Sequence, residues 1–142
     1  MKQQENITLH NDVQEIPQLA AFIEAFAEKA GLDFSTTMSL NLAMEEAVVN
    51  VMNYAYPGET GREIEIQAVK ENDMVQFTIT DSGVEFDPTT SGEPDLTLAA
   101  EDRPIGGLGI HLVRQIMDSI SYNRRDGKNI LTLTKKTQPE AQ

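Results

Sequence analysis

The sequence predicts an α+β fold, a two-layer sandwich in which the helices cover one face of a mixed, mainly antiparallel sheet. Two observations carry this prediction. Five segments alternate apolar and polar residues, as strands with one buried face do, and three segments repeat apolar residues every three or four positions, as amphipathic helices do. Because each strand and helix has a single apolar face, packing one layer on the other buries all of them.

Composition narrows the possible classes of protein. The chain has 142 residues, 39% of them hydrophobic, and is expected to form one domain over residues 1–142. Its formal net charge of -12 argues against binding to nucleic acid or to anionic membranes. The absence of cysteine excludes disulfides and thiolate metal sites. No apolar run has the length of a signal peptide or membrane span, so a cytoplasmic protein is expected.

The first two elements are a strand and a helix. Ile7 and Leu9 alternate with polar neighbours, which indicates a first or edge strand. Helical spacing of apolar residues then begins near Pro17 and stops at Gly31, as expected for proline in a first turn and glycine after a last turn. The N-cap of the following helix is expected among Ser35, Thr36 and Thr37.

The second helix, within Leu40–Pro57, carries unusual polar residues. Its apolar stripe consists of Leu40, Met44, Ala47, Val48, Val51 and Ala55. On another face, Glu46 and Asn50 are four residues apart, so they lie one turn apart and can contact one small ligand together. A carboxylate that accepts a proton and an amide oxygen that binds a hard cation suit a site for magnesium and phosphate. A solvated helix face is the alternative interpretation.

A hairpin and a long connector follow. Residues 63–80 predict two antiparallel strands joined by a tight turn at Glu71–Asp73. The second strand leads into Asp81-Ser82-Gly83, which is an ordinary turn signal but also places a carboxylate at a strand end. Such a carboxylate can accept a hydrogen bond from an exocyclic amine. Residues 88–105 are predicted to form a lid with a short helix near Leu96–Ala99.

A glycine cluster at Gly106–Gly109 opens the third helix. Its buried face is predicted to contain Leu112, Val113, Ile116, Met117 and Ile120. The glycines permit a tight turn, and they also expose backbone N–H groups and the positive end of the helix dipole to an anion. Two strands at 119–124 and 130–135 are predicted to flank a hairpin turn at Gly127, and the tail from about residue 137 is expected to fray.

The order of these motifs resembles the GHKL ATP-binding superfamily, which has the Bergerat or histidine-kinase-like ATPase fold. The motifs are E-x-x-x-N on a helix, D-x-G after a hairpin, a variable lid, and G-G-L-G opening a helix. Residues 81–88 (DSGVEFDP) and 106–118 (GGLGIHLVRQIMD) most resemble the anti-sigma-factor serine/threonine kinases. Two positions depart from the wider superfamily: Glu85 stands where a second glycine is usual, and no basic residue immediately precedes Gly106.

The resemblance implies a role for each matching residue. Asp81 would bind the adenine amino group, and Gly83 would let the ring lie against the backbone. Asn50 would coordinate magnesium, and Glu46 would be the general base for a serine or threonine hydroxyl. The other implied nucleotide-binding residues are Asn53, Arg103, Gly106, Gly107, Leu108, Gly109 and Asn129. ATP and magnesium are the implied cofactors.

The implied function is an ATP-dependent serine/threonine protein kinase that phosphorylates a small anti-anti-sigma-type partner in a partner-switching pathway. The resemblance also implies that the same surface sequesters a sigma factor and that the chain forms a homodimer. A non-catalytic, nucleotide-gated partner-binding module is the alternative, although the presence of both Glu46 and Asn50 argues against it. A histidine kinase would need a phosphoacceptor helix pair, for which the residues before Pro17 leave no room. A free ATPase is expected to carry transducer domains.

Overall fold

The computed structural model describes residues 2–90 and 107–137. Their strands and helices follow the order β1 (Lys2–His10), α1 (Ile16–Ala30), α2 (Phe34–Tyr54), β2 (Glu63–Glu71), β3 (Met74–Asp81), α3 (Gly107–Ile116), β4 (Ser119–Arg125) and β5 (Lys128–Lys136). Single 3-10 turns lie at Val13–Glu15 and Pro88–Thr90. Every strand and long helix predicted within these ranges is therefore present.

The five strands form one sheet in the order β1-β2-β3-β5-β4. All pairings among the described strands are antiparallel, and β1 lies at one edge, as predicted. In the centre, Ile66 pairs with Ile7 on one side and with Ile79 on the other, so apolar residues line up across the strands. The predicted α+β class is confirmed.

The hydrophobic core lies between one face of the sheet and the helices. Alternate residues of β2 and β3 are buried while their neighbours are mostly polar and more exposed, as the twofold side-chain period of a strand requires. The rings of Phe26 from α1 and Phe77 from β3 contact each other with centroids 6.0 Å apart. The predicted apolar stripe of α2 is buried along its full length, from Leu40 to Ala55.

The helix boundaries confirm some predictions and correct others. Pro17 lies in the first turn of α1, and Gly31 ends that helix in the left-handed conformation with φ 74°. The predicted cap of α2 is wrong: Asp33 is the N-cap, and its Oδ1 accepts a hydrogen bond from the Thr36 backbone N–H at 2.8 Å. This hydrogen bond satisfies one of the backbone N–H donors that a helix leaves unpaired in its first turn.

Two further expectations change near the C-terminus. The helix α3 ends at Ile116, so Ile120 lies in β4 and not on the helix face predicted for it. Thr137 is buried, and its backbone N–H donates to the Asp73 carbonyl at 2.7 Å, so the sheet contacts extend to residue 137. The predicted lid helix, most of the lid and residues 138–142 lie outside the described residues. No helix in the described ranges is both long and apolar enough to cross a membrane.

Candidate functional site

The carboxylate of Asp81 is buried at the end of a central strand. It is the last residue of β3, and the alternation along that strand turns its side chain to the same face as Ile79 and Phe77. Only 3% of its surface is exposed. A carboxylate in such a position is unfavourable unless hydrogen bonds stabilise its charge.

The two oxygens of Asp81 are in different situations. Oδ1 accepts hydrogen bonds from the Gly83 backbone N–H at 2.8 Å and from Nδ2 of Asn129 at 2.9 Å. Oδ2 makes no hydrogen bond within residues 2–90 and 107–137. Burial raises the pKa of Asp81, while the hydrogen bonds from Asn129 and Gly83 and the charge of Arg124 oppose that rise. One oxygen is thus held by the protein and the other is available to a ligand.

Asn129 holds the Asp81 carboxylate in place. It lies directly opposite Asp81 in the β3–β5 pairing and is equally buried. Its Nδ2 group donates to Asp81 and also to the Val84 carbonyl at 2.7 Å. Both amide hydrogens are therefore engaged, and Asn129 joins the strand end to the turn that follows it.

The amide oxygen of Asn129 is also surrounded. It accepts hydrogen bonds from three donors: the Phe86 backbone N–H at 3.2 Å, the Tyr122 hydroxyl at 2.5 Å and the Arg124 guanidinium at 3.1 Å. Because three donors face this atom, the amide cannot be reversed without placing N–H groups against N–H and O–H groups. The predicted presence of Asn129 at the site agrees with this position, while direct contact with a nucleotide stays a prediction.

Sequence reasoning missed Tyr122 and Arg124. Arg124 also donates to the Gly83 carbonyl at 2.9 Å, so it fixes the turn after Asp81 as well as Asn129. The sequence did contain a signal for Arg124. The two-residue turn at Asp126-Gly127 sets the register of the β4–β5 hairpin, and that register pairs Arg124 with Asn129.

Tyr56 is a third residue that the sequence did not single out. Its hydroxyl accepts a hydrogen bond from the Ser82 backbone N–H at 2.7 Å and donates to the Glu63 carbonyl at 2.8 Å. The guanidinium of Arg62 lies 4.7 Å from the centre of the same ring. Tyr56 thereby connects the chain after α2 to the start of β2 and to the turn after β3, next to Asp81.

Gly83 has a structural role beyond the predicted one. A Cβ atom at this position would lie 2.0 Å from the Ala55 carbonyl oxygen at the end of α2. The neighbouring Val84 N–H donates to that same oxygen at 2.8 Å. Glycine is therefore required for the turn to pack against α2, and close approach of an adenine ring stays a prediction.

The helix α2 brings the other predicted residues toward this turn. Its last turn contacts the site through Tyr54, whose ring centre lies 5.4 Å from that of Phe86. Asn50, one turn earlier, is 97% buried, and its side-chain amide makes no hydrogen bond within the described ranges. Glu46 is half-buried and Asn53 is exposed. An amide without a hydrogen-bond partner among the described residues can act as a ligand for a cation.

The helix α3 begins where the glycine cluster predicted. Gly107, Leu108 and Gly109 are its first residues, and the first N–H groups of a helix have no acceptor within the helix. This end of α3 can therefore bind an anion, and α3 packs against α2, which carries Asn50. Gly106 and Arg103 lie outside the described residues.

Comparison with known proteins identifies the family. Residues 9–135 match the family model described as the histidine kinase-like ATPase domain. The chain belongs to this family. Among curated proteins, the serine/threonine-protein kinase BtrW of Bordetella bronchiseptica is 35% identical over 103 residues, which cover 72% of each chain. The serine-protein kinase RsbW of Bacillus cereus is 30% identical over 118 residues, covering 80% of this chain and 72% of that one.

Solved structures show the same fold for this histidine kinase-like ATPase. The structure of the RsbU and RsbW domains of Rv1364c from Mycobacterium tuberculosis superposes with a TM-score of 0.65 at 16% identity, covering 94% of this chain and 32% of that one. The histidine kinase domain from Erythrobacter litoralis EL346 gives a TM-score of 0.56 at 13% identity, with 87% and 60% covered. The predicted recognition, a serine/threonine-protein kinase of the anti-sigma-factor type within the histidine kinase-like ATPases, is confirmed, and use of ATP follows from the family.

Proposed function

We propose that this histidine kinase-like ATPase transfers phosphate from ATP to a serine or threonine of a small anti-anti-sigma-type protein. The observation that carries the proposal is the asymmetry of Asp81, which has one oxygen held by Gly83 and Asn129 and one oxygen without a partner in the described residues. The kinase names of the related proteins support the same reaction. We further propose that residues 1–142 form a single ATP-binding domain.

The free oxygen of Asp81 suits adenine. Oδ2 would accept a hydrogen bond from the exocyclic amine, whereas guanine would place a carbonyl oxygen against the carboxylate. The backbone N–H groups of Gly107, Leu108 and Gly109 would bind the phosphates at the positive end of α3, with Gly106 and Arg103 as further proposed contacts. Asn53 is proposed to line the adenine or ribose side of the nucleotide.

Asn50 is the proposed magnesium ligand. Its amide oxygen is a hard donor, its side chain is buried, and it has no competing hydrogen bond within the described residues. Magnesium usually takes only one or two protein ligands when substrate phosphates supply the others, so a single amide is sufficient. When bound, the ion would offset the negative charge of the phosphates.

Glu46 is the proposed general base. It lies one turn before Asn50 on the same helix and is partly open to solvent, as a group that meets a protein substrate must be. In the reaction the acceptor oxygen forms a bond to the γ-phosphorus, the bond from that phosphorus to the β–γ bridging oxygen breaks, and ADP leaves. Glu46 takes the proton of the hydroxyl, which contributes on the order of 10² to 10⁴ in rate.

The proposed regulation is a partner switch. A phosphate placed on the anti-anti-sigma-type partner adds negative charge next to a protein with a formal net charge of -12, so the phosphorylated partner is released. The freed surface would then bind a sigma factor. We propose that the chain acts in this way as a cytoplasmic homodimer.

Calorimetry tests the nucleotide site first. Titration of ATP and ADP, each with and without magnesium, is expected to give magnesium-dependent binding with a dissociation constant of about 1 μM, or roughly -8 kcal/mol.

The purified protein is then incubated with labelled ATP and a panel of anti-anti-sigma-type proteins. Glu46→Ala should keep ATP affinity and lower the rate of phosphate transfer by a factor of about 10² or more. Glu45→Ala, which changes the adjacent exposed residue, should retain the full rate of transfer. ATP binding without a labelled protein would indicate the non-catalytic module.

A further inference from the structure

The helix α2 exposes a row of three large apolar side chains. Phe34 is 80% exposed, Met38 51% and Leu42 43%, and these residues follow one another at intervals of four. Side chains four apart are neighbours on a helix surface, so the three form one continuous apolar ridge. We call Phe34, Met38 and Leu42 the apolar ridge.

The fold of the described residues does not explain this ridge. The buried stripe of α2 lies on another face, and the helix start is already stabilised by the Asp33 cap. Single exposed apolar residues are common, but a contiguous exposed row marks a contact surface. The apolar ridge is therefore expected to be a contact surface for a binding partner.

The ridge leads directly to the proposed general base. Continuing the same step of four from Leu42 reaches Glu46 and then Asn50. At a rise of about 1.5 Å per residue, Phe34 lies roughly 18 Å from Glu46 along the helix axis. A protein surface resting on the ridge would therefore extend along the helix to the position where the acceptor hydroxyl must lie.

Charge around the ridge favours one class of occupant. Asp33 precedes the ridge, and Glu45 and Glu46 follow it, in a chain with a formal net charge of -12. Contact between the ridges of two copies would bring these carboxylates together, which is unfavourable. A partner with an apolar patch and a neutral or basic rim fits instead.

We propose that the apolar ridge is the docking surface for the protein acceptor, which binds it through an apolar, non-acidic patch beside its acceptor hydroxyl. This inference rests on the proposed kinase function. It assigns the N-terminal half of α2 to substrate binding and the next two turns to chemistry. Docking on the ridge contributes to capture of the acceptor and leaves nucleotide binding unchanged.

The test replaces the ridge without disturbing the helix. A variant with Phe34→Gln, Met38→Gln and Leu42→Gln keeps good helix formers at three exposed positions. Val13→Gln is the matched control, because Val13 is 55% exposed but lies on the 3-10 turn before α1. The substrate is the anti-anti-sigma-type protein that the unaltered chain labels.

The ridge variant is expected to raise the KM for the acceptor about tenfold or more, with kcat and ATP affinity unchanged. The Val13→Gln variant should match the unaltered chain. An unchanged KM would overturn the inference and leave the kinase function standing. A fall in sedimenting mass from dimer to monomer in the ridge variant would assign the ridge to self-association and also overturn it. If no protein is labelled, the proposed function and this inference fail together.

Discussion

Burial of Asp81 disfavours the ionised form of its carboxyl group, which is the form proposed to accept a hydrogen bond from the adenine amine. The pKa of this carboxyl is raised mainly by burial, so in the folded protein its ionisation is less favourable than in the unfolded chain. The sign follows from linkage: the protonated form contributes stability that is fully present below the unfolded pKa and is lost as pH rises through the folded pKa. At neutral pH the ionised side chain therefore costs stability, which is consistent with the binding role proposed for Asp81.

Asp81→Asn is expected to separate stability from binding. The asparagine Oδ1 can still accept from Gly83 and Asn129, while an uncharged amide replaces the free oxygen and presents N–H groups to the adenine amine. Urea unfolding should show a variant at least as stable as the unaltered chain at pH 7, with this gain shrinking as pH falls toward about 4. ATP affinity should drop about 10- to 100-fold.

The matched control for that substitution is Asp126→Asn. Asp126 is exposed in the β4–β5 turn with φ 53°, a conformation that asparagine tolerates. This variant should leave ATP affinity unchanged. Equal ATP affinity in the Asp81→Asn protein would remove Asp81 from the nucleotide site.

A second residue-scale prediction concerns Gly83. Alanine there would put a methyl group 2.0 Å from the Ala55 carbonyl oxygen, so the turn or α2 must move, at a cost of about 1–3 kcal/mol. Gly61→Ala is the comparison, because it has φ 71° but nothing within 4 Å of the added methyl. Chemical denaturation of both should show the larger loss for Gly83→Ala. A smaller loss at Gly83 would mean that the turn is not packed against α2.

The positions of the candidate site residues were predictable from sequence only to the extent that local patterns encode them. Asp81 and the Glu46/Asn50 pair follow from a strand end and from helical spacing. The burial of Asn50 and the engagement of Asn129 do not, because they depend on how α2 and the β4–β5 hairpin meet the turn after β3. Contacts between distant segments carry little local signal.

At the scale of elements, the capping of α2 shows why helix ends are harder to predict than helix interiors. Several residues near its start can cap a helix, and only backbone geometry selects among them. Asp33 is extended, with φ -76° and ψ 169°, and so becomes the cap, while Ser35 is already inside the helix. The periodic interior of α2, in contrast, was predicted correctly.

This cap provides an element-scale prediction. Hydrogen bonds from Thr36 lower the pKa of Asp33, so its contribution to stability is present above the unfolded pKa and is lost as pH falls through the folded pKa. Asp33→Ala should lower the midpoint of urea unfolding at pH 7, and the difference should disappear below about pH 4. Ser35→Ala should have almost no effect at either pH. A larger effect would mean that Ser35, one of the three residues first expected to cap α2, is the cap.

At the scale of the whole molecule, the site and the core share their elements. Asp81 and Asn129 lie on the neighbouring interior strands β3 and β5, and Asn50 lies on the helix that supplies much of the core. Ligand contacts at these positions would therefore lie on elements that form the hydrophobic core. Binding should be visible as a change in global stability and not only as local protection.

The last prediction follows from this arrangement. ATP with magnesium at about 100 times its dissociation constant should raise the free energy of unfolding by about 2.7 kcal/mol through mass action. ATP alone should stabilise less, because its phosphates approach a chain with a formal net charge of -12. Thermal unfolding measures the stabilisation by ATP with magnesium and by ATP alone, and GTP is the control ligand. Glu46→Ala should keep the stabilisation, whereas the 10- to 100-fold weaker binding expected of Asp81→Asn should reduce it to about 1.4 to 0.4 kcal/mol at the same ATP concentration, since of these two residues only Asp81 is proposed to bind the base. Equal stabilisation by GTP would show that the carboxylate does not read the base.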